Sequence, residues 1–547
     1  MPFPPFPAWT WHLPEHFNIG VACTDAHLGT ATEDHLAMIV EDDERGVSQA
    51  TYKQLAQRSS RFAQLLRTLG VEDGERVLIR LPNCLDYPTA FLGAMKRGAI
   101  SVPTSTLLTA EEVVYLAKDS GASVLVTDQA MWATLQDKLA GLEGLRCVLL
   151  SGNAPPDFSA LRPGATALQV LNLDAALGEI TICAPPHPTK SHDPAYLVYT
   201  SGTTGYPKGV LHAHRAMIGR EPAANYWFDF AEDGHDRIVH SGKFNWTYVL
   251  GSALMDPLYL GKTVIVHEGK NDAAGWIRLI AKHRATLFIG VPTIYRQIIQ
   301  KTTSTGADVP SLRHCMSAGE HLSDEMLGLW RERFGVDIYE AVGMSEVSYY
   351  LSENKFRPIR PGSAGFPQPG HDVRLLDPET LKEVAPGEEG MICLPAEDPG
   401  LFMQYWNLPA ETAKVFKGEW FLTGDYARFD EDGYIWFLGR RDDIINSFGY
   451  RVSPHEIERV MKTHPAVADC AATGEELSGD KVLVVAYVTL HPGVEASPDE
   501  LLAFGREHLA GYKAPKIVYL AADFPRTKNG KIVRRQLSQA IAGGRSQ

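Results

Sequence analysis

Thr200-Ser201-Gly202-Thr203-Thr204-Gly205-Tyr206-Pro207-Lys208-Gly209 follows a short apolar run, Ala195-Tyr196-Leu197-Val198-Tyr199. The run reads as a buried strand. The glycines after it let the backbone bend tightly and present its N–H groups. Four hydroxyls, those of Thr200, Ser201, Thr203 and Thr204, stand there with the Lys208 ammonium. A strand that empties into such a loop can surround a polyphosphate with donors. The spacing is not that of a Walker A loop, which needs four residues between its first glycine and a closing Gly-Lys-Ser/Thr. Here two residues separate Gly202 from Gly205, and Gly209 follows Lys208. A solvated surface turn has the same composition, so the loop alone leaves both readings open.

On either side of the loop, strands alternate with helices. Thr51-Tyr52-Lys53-Gln54 fits a capping box; Leu55, Phe62, Leu65, Leu66 and Leu69 follow at helical spacing, and Gly70 ends the helix. Residues 76–81 read as a strand, 88–96 as a helix, and 122–127 and 147–150 as buried strands. Residues 151–192, rich in Pro, Gly and Asp, read as a long connection. The alternation resumes with strands at 263–266 and 287–291 and a helix at 327–334. This pattern predicts parallel sheets with helices on both faces.

Beyond residue 360 short strands at 372–376, 390–394 and 434–438 alternate with Gly and Pro, which reads as a small β-barrel-like subdomain. Past Gly439, Ser453-Pro454-His455-Glu456 and Ser497-Pro498-Asp499-Glu500 each open a helix as a capping box with proline at its first position. Between them 481–490 reads as a strand. Residues 1–30, irregular and rich in Pro and aromatics, read as an arm packed on the body. The expected fold is α/β. Residues 1–440 form a large domain of two α/β sheet subdomains plus the barrel-like one, and 441–547 a small mobile α+β domain.

Composition narrows the function classes. With 547 residues the chain is long enough for several domains with real cores. Sixty-six acids against 52 bases leave a net charge of −14, which disfavours a broad nucleic-acid surface. The seven cysteines are scattered without metal-type spacing and read as reduced thiols of a cytoplasmic protein. The start, Met1-Pro2-Phe3-Pro4, lacks the basic and apolar regions of a signal peptide, and no apolar run reaches membrane-spanning length.

Further motifs line up after the loop. They are Ser317-Ala318-Gly319-Glu320, Tyr339-Glu340-Ala341-Val342-Gly343-Met344-Ser345-Glu346, Trp420-Phe421-Leu422-Thr423-Gly424-Asp425, Gly439-Arg440-Arg441-Asp442-Asp443 and Pro525-Arg526-Thr527-Lys528-Asn529-Gly530-Lys531. Six motifs in this order, between residues 200 and 531, closely resemble the AMP-forming acyl-CoA synthetases of the adenylate-forming superfamily, a match that runs from about residue 45 to 535. Singly each has a duller reading: Lys531 as a solvated tail lysine, Asp425 as a turn residue, Arg440-Arg441-Asp442-Asp443 as a solvated charge run.

The resemblance implies ATP, Mg²⁺ and coenzyme A as cosubstrates and cofactors, with a small carboxylate as the other partner. A carboxylate is a poor electrophile; attack on the α-phosphate of ATP makes an acyl-adenylate, and a thiol then displaces AMP. Bringing an anion to a polyanion demands positive charge and oriented donors. By resemblance Thr200, Ser201, Gly202, Thr203, Thr204, Gly205 and Lys208 hold the outer phosphates, and Glu346 binds Mg²⁺. Ser345 donates to the α-phosphate. Asp425 and Arg440 bond the ribose, and Arg451 matches a position near the phosphates. Ala318-Gly319-Glu320 and Glu340-Ala341-Val342, with Met344, enclose the adenine. Lys531 bridges the substrate carboxylate and the α-phosphate. Asp442 occupies the family's hinge position, and Phe448-Gly449-Tyr450 approaches the pantetheine arm after a domain rotation.

The resemblance also locates the acyl pocket, at Phe244, Trp246, Gly290 and Gly343. Acetate-specific relatives carry Trp where Gly343 stands, so glycine implies room for a larger acid. Each buried methylene contributes about 0.8 kcal/mol, enough to favour medium-chain, branched, alicyclic or aromatic acids over acetate. Two departures stand out: Val342 replaces the usual aromatic, and Leu401-Phe402-Met403-Gln404-Tyr405 lacks the glycine often found before the tyrosine. A carrier-protein adenylation enzyme is the competing reading; Asn245, where such enzymes place Asp, argues against an amino-acid substrate. The resemblance leaves a homodimer open, and implies a lysine acetyltransferase and deacetylase acting on Lys531, where acetylation removes the charge.

Overall fold

The computed structural model describes residues 6, 8–139, 141–152, 168–200, 207–232, 236–270, 272–319, 322–440, 443, 445–447, 450–478, 481–509, 511, 513–526 and 532–537. Two large sheets dominate. The eight-stranded one runs in the spatial order Gln404–Tyr405, Lys208–Ala213, Pro194–Thr200, Ile100–Pro103, Arg76–Arg80, Ala122–Asp128, Cys147–Ser151, Gln169–Asn172. The strands from Pro194–Thr200 to Gln169–Asn172 are parallel, as the strand–helix alternation predicts. The helix Asp86–Arg97 packs on this sheet, and the helix Tyr52–Thr68 packs on Asp86–Arg97. Thr51 and Gln54 cap Tyr52–Thr68 reciprocally, and Leu55, Phe62, Leu65 and Leu66 point inward. Each fully buried apolar side chain of this kind contributes about 1.5–3 kcal/mol.

The nine-stranded sheet contains Arg237–His240, Thr263–Glu268, Leu287–Ile289, His314–Ala318 and Ile338–Met344 in parallel, closed at one end by the antiparallel strands Ser348–Ser352 and Phe366–Pro367. Its other edge is formed by Leu36–Asp42 and Gly46–Thr51, from the start of the chain. The chain therefore lays the edge of the second sheet before it builds the first.

The 151–192 segment corrects the sequence reading. Its Gln169–Asn172 portion is a strand paired in parallel with Cys147–Ser151, and Leu173–Gly178 is helical; residues 153–167 are outside the described set. The Pro- and Gly-rich composition hid a short apolar strand. The N-terminal arm behaves as expected. Trp11 donates its ring N–H to the Gly370 carbonyl (3.2 Å), and the Phe6 ring meets those of Tyr226 and Phe366.

Strands Arg374–Leu376, Gly390–Pro395, Phe416–Lys417, Trp420–Phe429 and Ile435–Arg440 make a five-stranded antiparallel sheet. A smaller C-terminal domain follows. Val467–Ser478, Lys481–Leu490 and Ile517–Leu520 form its sheet, and Ile457, Met461, Val484, Val488 and Leu501 share its core. Ser497 and Glu500 cap the helix Pro498–His508 reciprocally. At the helix Pro454–Met461 only half of the expected box forms: Ser453 accepts from the Glu456 N–H, while the Glu456 carboxylate turns to Lys513 (2.7 Å). Among the described residues no helix is long and apolar enough to cross a membrane.

Candidate active site

Thr200 ends one strand and pairs in register with Lys208, the first residue of the next, so the strands on either side of the Gly-rich segment are antiparallel neighbours. Lys208 and Gly209 belong to the second strand; Ser201, Gly202, Thr203, Thr204 and Gly205 lie outside the described residues. The Lys208 ammonium meets Glu411 Oε2 at 3.0 Å and lies 5.5 Å from the centre of the Tyr405 ring. Hydrogen bonds from Lys414 and Lys208 hold the Glu411 carboxyl down at about 2, so it remains ionised.

Ser345 and Glu346 form the turn between Ile338–Met344 and Ser348–Ser352. Ser348 closes it at φ +69°, a left-handed conformation uncommon for serine. Glu346 is buried, and its Oε1 accepts from the Tyr405 hydroxyl at 2.8 Å. Burial raises the Glu346 carboxyl above its usual range; the Tyr405 bond and the charges of Arg440 and Lys208 work the other way. The Ser345 carbonyl accepts from His212 Nε2 at 2.7 Å, and the Ser345 hydroxyl lies 3.4 Å from that of Thr247.

Asp425 and Arg440 pair across antiparallel strands, with Arg440 Nε 3.5 Å from Asp425 Oδ1. Tyr350 lies within electrostatic reach of Asp425, Arg440 and Glu346 together. On the neighbouring edge, Ala318 and Ala341 are in register on parallel strands. Glu340 accepts from the Leu322 N–H (2.8 Å) and donates its own N–H to Glu353 (3.0 Å). Val342 and Met344 are half-buried beside it, and Glu320 lies outside the described residues.

Gly319 has φ +97°, and a Cβ there would lie 3.5 Å from the Trp246 ring. The expected adenine segment and the expected acyl wall therefore touch. The Trp246 ring packs edge-on to Tyr248, centroids 5.2 Å apart, just before the π-helical turn Leu250–Met255. Phe244, the other expected aromatic of the pocket, is buried. It is 1% exposed and packs on the Tyr87 ring, centroids 5.1 Å apart. Gly290 lies against Tyr295, whose ring a Cβ would approach to 3.1 Å. Gly343 has a reason to be glycine beyond pocket volume: a Cβ would stand 2.1 Å from the Ser348 carbonyl oxygen.

Three residues escaped the sequence reading, His212, Glu411 and Tyr248, and Tyr405 is read there only as the tyrosine of a family segment. His212 sits in an apolar strand pattern, where a histidine reads as core. Tyr248 lies beside Trp246, and its hydroxyl is buried without a hydrogen-bond partner among the described residues. Tyr450 and Arg451 lie in a short strand paired with Ile445–Ser447. Asp442, Phe448, Gly449 and Lys531 are outside the described residues. The chain flanking 527–531 is strapped down by Arg526 to Asp469 (2.7 Å), Val533 N–H to the Pro525 carbonyl (2.8 Å) and Arg534 to Glu458 (2.7 Å). Among the described residues no three His, Cys, Asp or Glu side chains converge as a metal cage. A single buried carboxylate still fits Mg²⁺, which keeps waters and takes one or two carboxylates plus phosphate oxygens.

The sequence model for the AMP-binding enzyme family matches residues 27–406, and that for the AMP-binding enzyme C-terminal domain matches 456–531. The chain belongs to the AMP-binding enzyme family. Within it, the chain is 32% identical over 494 residues to a benzoate–CoA ligase of Thauera aromatica, covering 90% of each chain. It is 30% identical over 501 residues to a mitochondrial acyl-coenzyme A synthetase of Homo sapiens, covering 89% of this chain and 82% of that one. Its fold matches, at a TM-score of 0.84 and 29% identity, the crystal structure of an anthranilate CoA ligase in complex with anthranoyl-AMP, covering 97% of this chain and 99% of that one.

Proposed function

We propose that this chain is an AMP-forming acid–CoA ligase. It converts a carboxylate larger than acetate to an acyl-adenylate with release of pyrophosphate, then passes the acyl group to coenzyme A. The observation that carries this is the meeting of Lys208, Tyr405 and Glu346, where a phosphate-loop cation and a buried carboxylate share one phenol. The kinship with a benzoate–CoA ligase and with an acyl-coenzyme A synthetase supports the same reaction.

In this reading Lys208 leaves Glu411 for the ATP phosphates, and Ser345 donates to the α-phosphate. Glu346 holds Mg²⁺, which when bound neutralises phosphate charge. Asp425 and Arg440 take the ribose hydroxyls, and Ala318, Gly319, Glu340 and Ala341 border the base. Lys531 neutralises the carboxylate as it attacks, and acetylation there blocks this step alone. Residues 441–547 move about Asp442 as a unit between the two half-reactions. Trp246 and Tyr248 form an aromatic wall with one buried hydroxyl, which suits a ring acid better than a straight chain.

Pyrophosphate release is the test, with a panel of acetate, hexanoate, cyclohexanecarboxylate, benzoate and hydroxylated and amino benzoates, with and without coenzyme A. Expected is thioester formation with ring acids, at least tenfold faster than with acetate. Turnover that ignores coenzyme A but loads a carrier protein would favour the competing class. No pyrophosphate with any acid would end the ligase reading.

A further inference from the structure

The Ser345–Glu346 turn belongs to the nine-stranded sheet, yet three of its hydrogen bonds come from residues on or beside one edge of the eight-stranded sheet. Within its own hairpin the Val347 N–H donates to the Met344 carbonyl (3.3 Å). The Glu346 carbonyl accepts from the Phe402 N–H at 2.7 Å. The Glu346 side chain accepts from Tyr405, on the short strand Gln404–Tyr405 paired with Lys208–Ala213. The Ser345 carbonyl accepts from His212 Nε2 at 2.7 Å. Of these donors only His212 lies on the strand that Lys208 begins. Four residues of extended chain, roughly 13 Å at about 3.3 Å each, separate the two.

His212 is built to donate from one nitrogen. A carbonyl can only accept, so Nε2 carries the proton. The ring is 2% exposed and stacks on Tyr196, centroids 4.6 Å apart and planes 12° apart, which fixes its plane. Nδ1 is buried and has no partner among the described residues, so a second proton would leave an unpaired N–H. Burial, with Arg220 and Arg215 nearby, pushes the ring's pKa down to about 3, so the neutral tautomer persists through the working pH range. The plain alternative is a core histidine that happens to find a carbonyl.

We propose that His212 is a positioning residue: its Nε2–H holds the Ser345 carbonyl and so sets Glu346 at a fixed place relative to the phosphate-loop strand. This rests on the reading that Glu346 receives Mg²⁺. A partner one shell outside a metal ligand commonly changes metal affinity by about 10–100-fold when removed.

The test is isothermal titration of the full chain with MgATP, and with ATP in EDTA, for the parent and for His212→Leu, His212→Asn, His212→Gln and Glu346→Gln. The glutamine amide reaches as far as imidazole Nε2; the asparagine amide stops short. Expected is about tenfold weaker MgATP binding for His212→Leu and His212→Asn, binding within twofold of parent for His212→Gln, and metal-free ATP unchanged throughout. A core histidine predicts instead lower melting temperatures with MgATP and free ATP affected alike, and that result overturns the proposal. If His212→Leu does not fold, the Asn and Gln pair decides, and equal MgATP affinity in those two overturns it. Parent-like binding in His212→Asn while Glu346→Gln loses the metal preference sinks the His212 role and leaves the metal reading standing. Parent-like binding in Glu346→Gln removes both.

Discussion

Tyr405 donates its hydroxyl to a carboxylate whose pKa burial raises. A hydrogen bond to a charged group contributes about 1.5–3 kcal/mol, and the oxygen left behind in Tyr405→Phe is buried. That variant should bind MgATP roughly ten- to a hundredfold more weakly while binding metal-free ATP as before, which titration calorimetry reads directly. The pH dependence has a definite sign. Glu346 is raised in the folded protein, so MgATP binding should fail on acidification at a higher pH than an ordinary carboxylate would give. Loss of the Tyr405 donor should move that midpoint higher still. A midpoint unmoved in Tyr405→Phe would show that the phenol does not support the charge. Gly343 makes a second case at this scale. Its missing side chain is replaced by the Ser348 backbone, 2.1 Å from where a Cβ would stand, and backbone cannot step aside cheaply. Gly343→Ala should therefore lower the melting temperature and MgATP affinity together, whereas a pocket-filling role alone predicts altered acid preference with normal stability.

The elements that carry the site differ in how plainly the sequence announced them. The parallel strands and the helix Tyr52–Thr68 were legible because period-2 and period-3.6 patterns and a capping box agree there. The segment 194–213 was legible as a strand and loop, but its second strand was not, since Lys208 and Gly209 look like loop residues until pairing with Thr200 and Tyr199 is seen. The crossing of Leu36–Asp42 to the second sheet had no local signal at all; it is set by the parallel register of Met38 with Val264. Glu458 was hidden for the same reason. It lies on the buried face of Pro454–Met461, where the pattern asks for an apolar residue, because Arg534 comes from 76 positions later to meet it. Burial works against its charge, but His455, Arg534 and Lys462 outweigh that and hold it below the usual range. Its contribution is thus present above the unfolded pKa and is lost as pH falls through the folded one. Arg534→Ala leaves a buried carboxylate short of its cation and should cost about 3 kcal/mol of C-terminal domain stability. Hydrogen exchange in residues 454–490 should show this as lost protection, with Glu458→Leu combined with Arg534→Met recovering most of it. Unchanged protection in Arg534→Ala would mean the remaining partners of Glu458 suffice.

At the scale of the whole molecule, in the proposed reading, the nucleotide-binding residues stand on the two large sheets and the five-stranded one, and the charge needed to bring a carboxylate to a phosphate is assigned to the small domain. The ion pairs on either side of 527–531 fit that division, since Arg526 meets Asp469 and Arg534 meets Glu458, both in the C-terminal domain. A segment fastened in this way travels with its domain. If the domain turns between steps, a lysine it carries serves one half-reaction and is withdrawn from the other. Lys531→Ala should then abolish carboxylate-dependent ATP–pyrophosphate exchange by several orders of magnitude, because an uncompensated anion must approach a polyanion. Thioester formation from supplied acyl-adenylate and coenzyme A should continue near the parental rate. If Asp442 is the hinge, Asp442→Pro stiffens the backbone there and should spare one half-reaction and stop the other. Rapid-quench measurement of the two steps separately distinguishes these outcomes. Equal loss of both steps in Lys531→Ala would place the lysine in a fixed site shared by both reactions, and the small domain would then be a lid rather than a carrier.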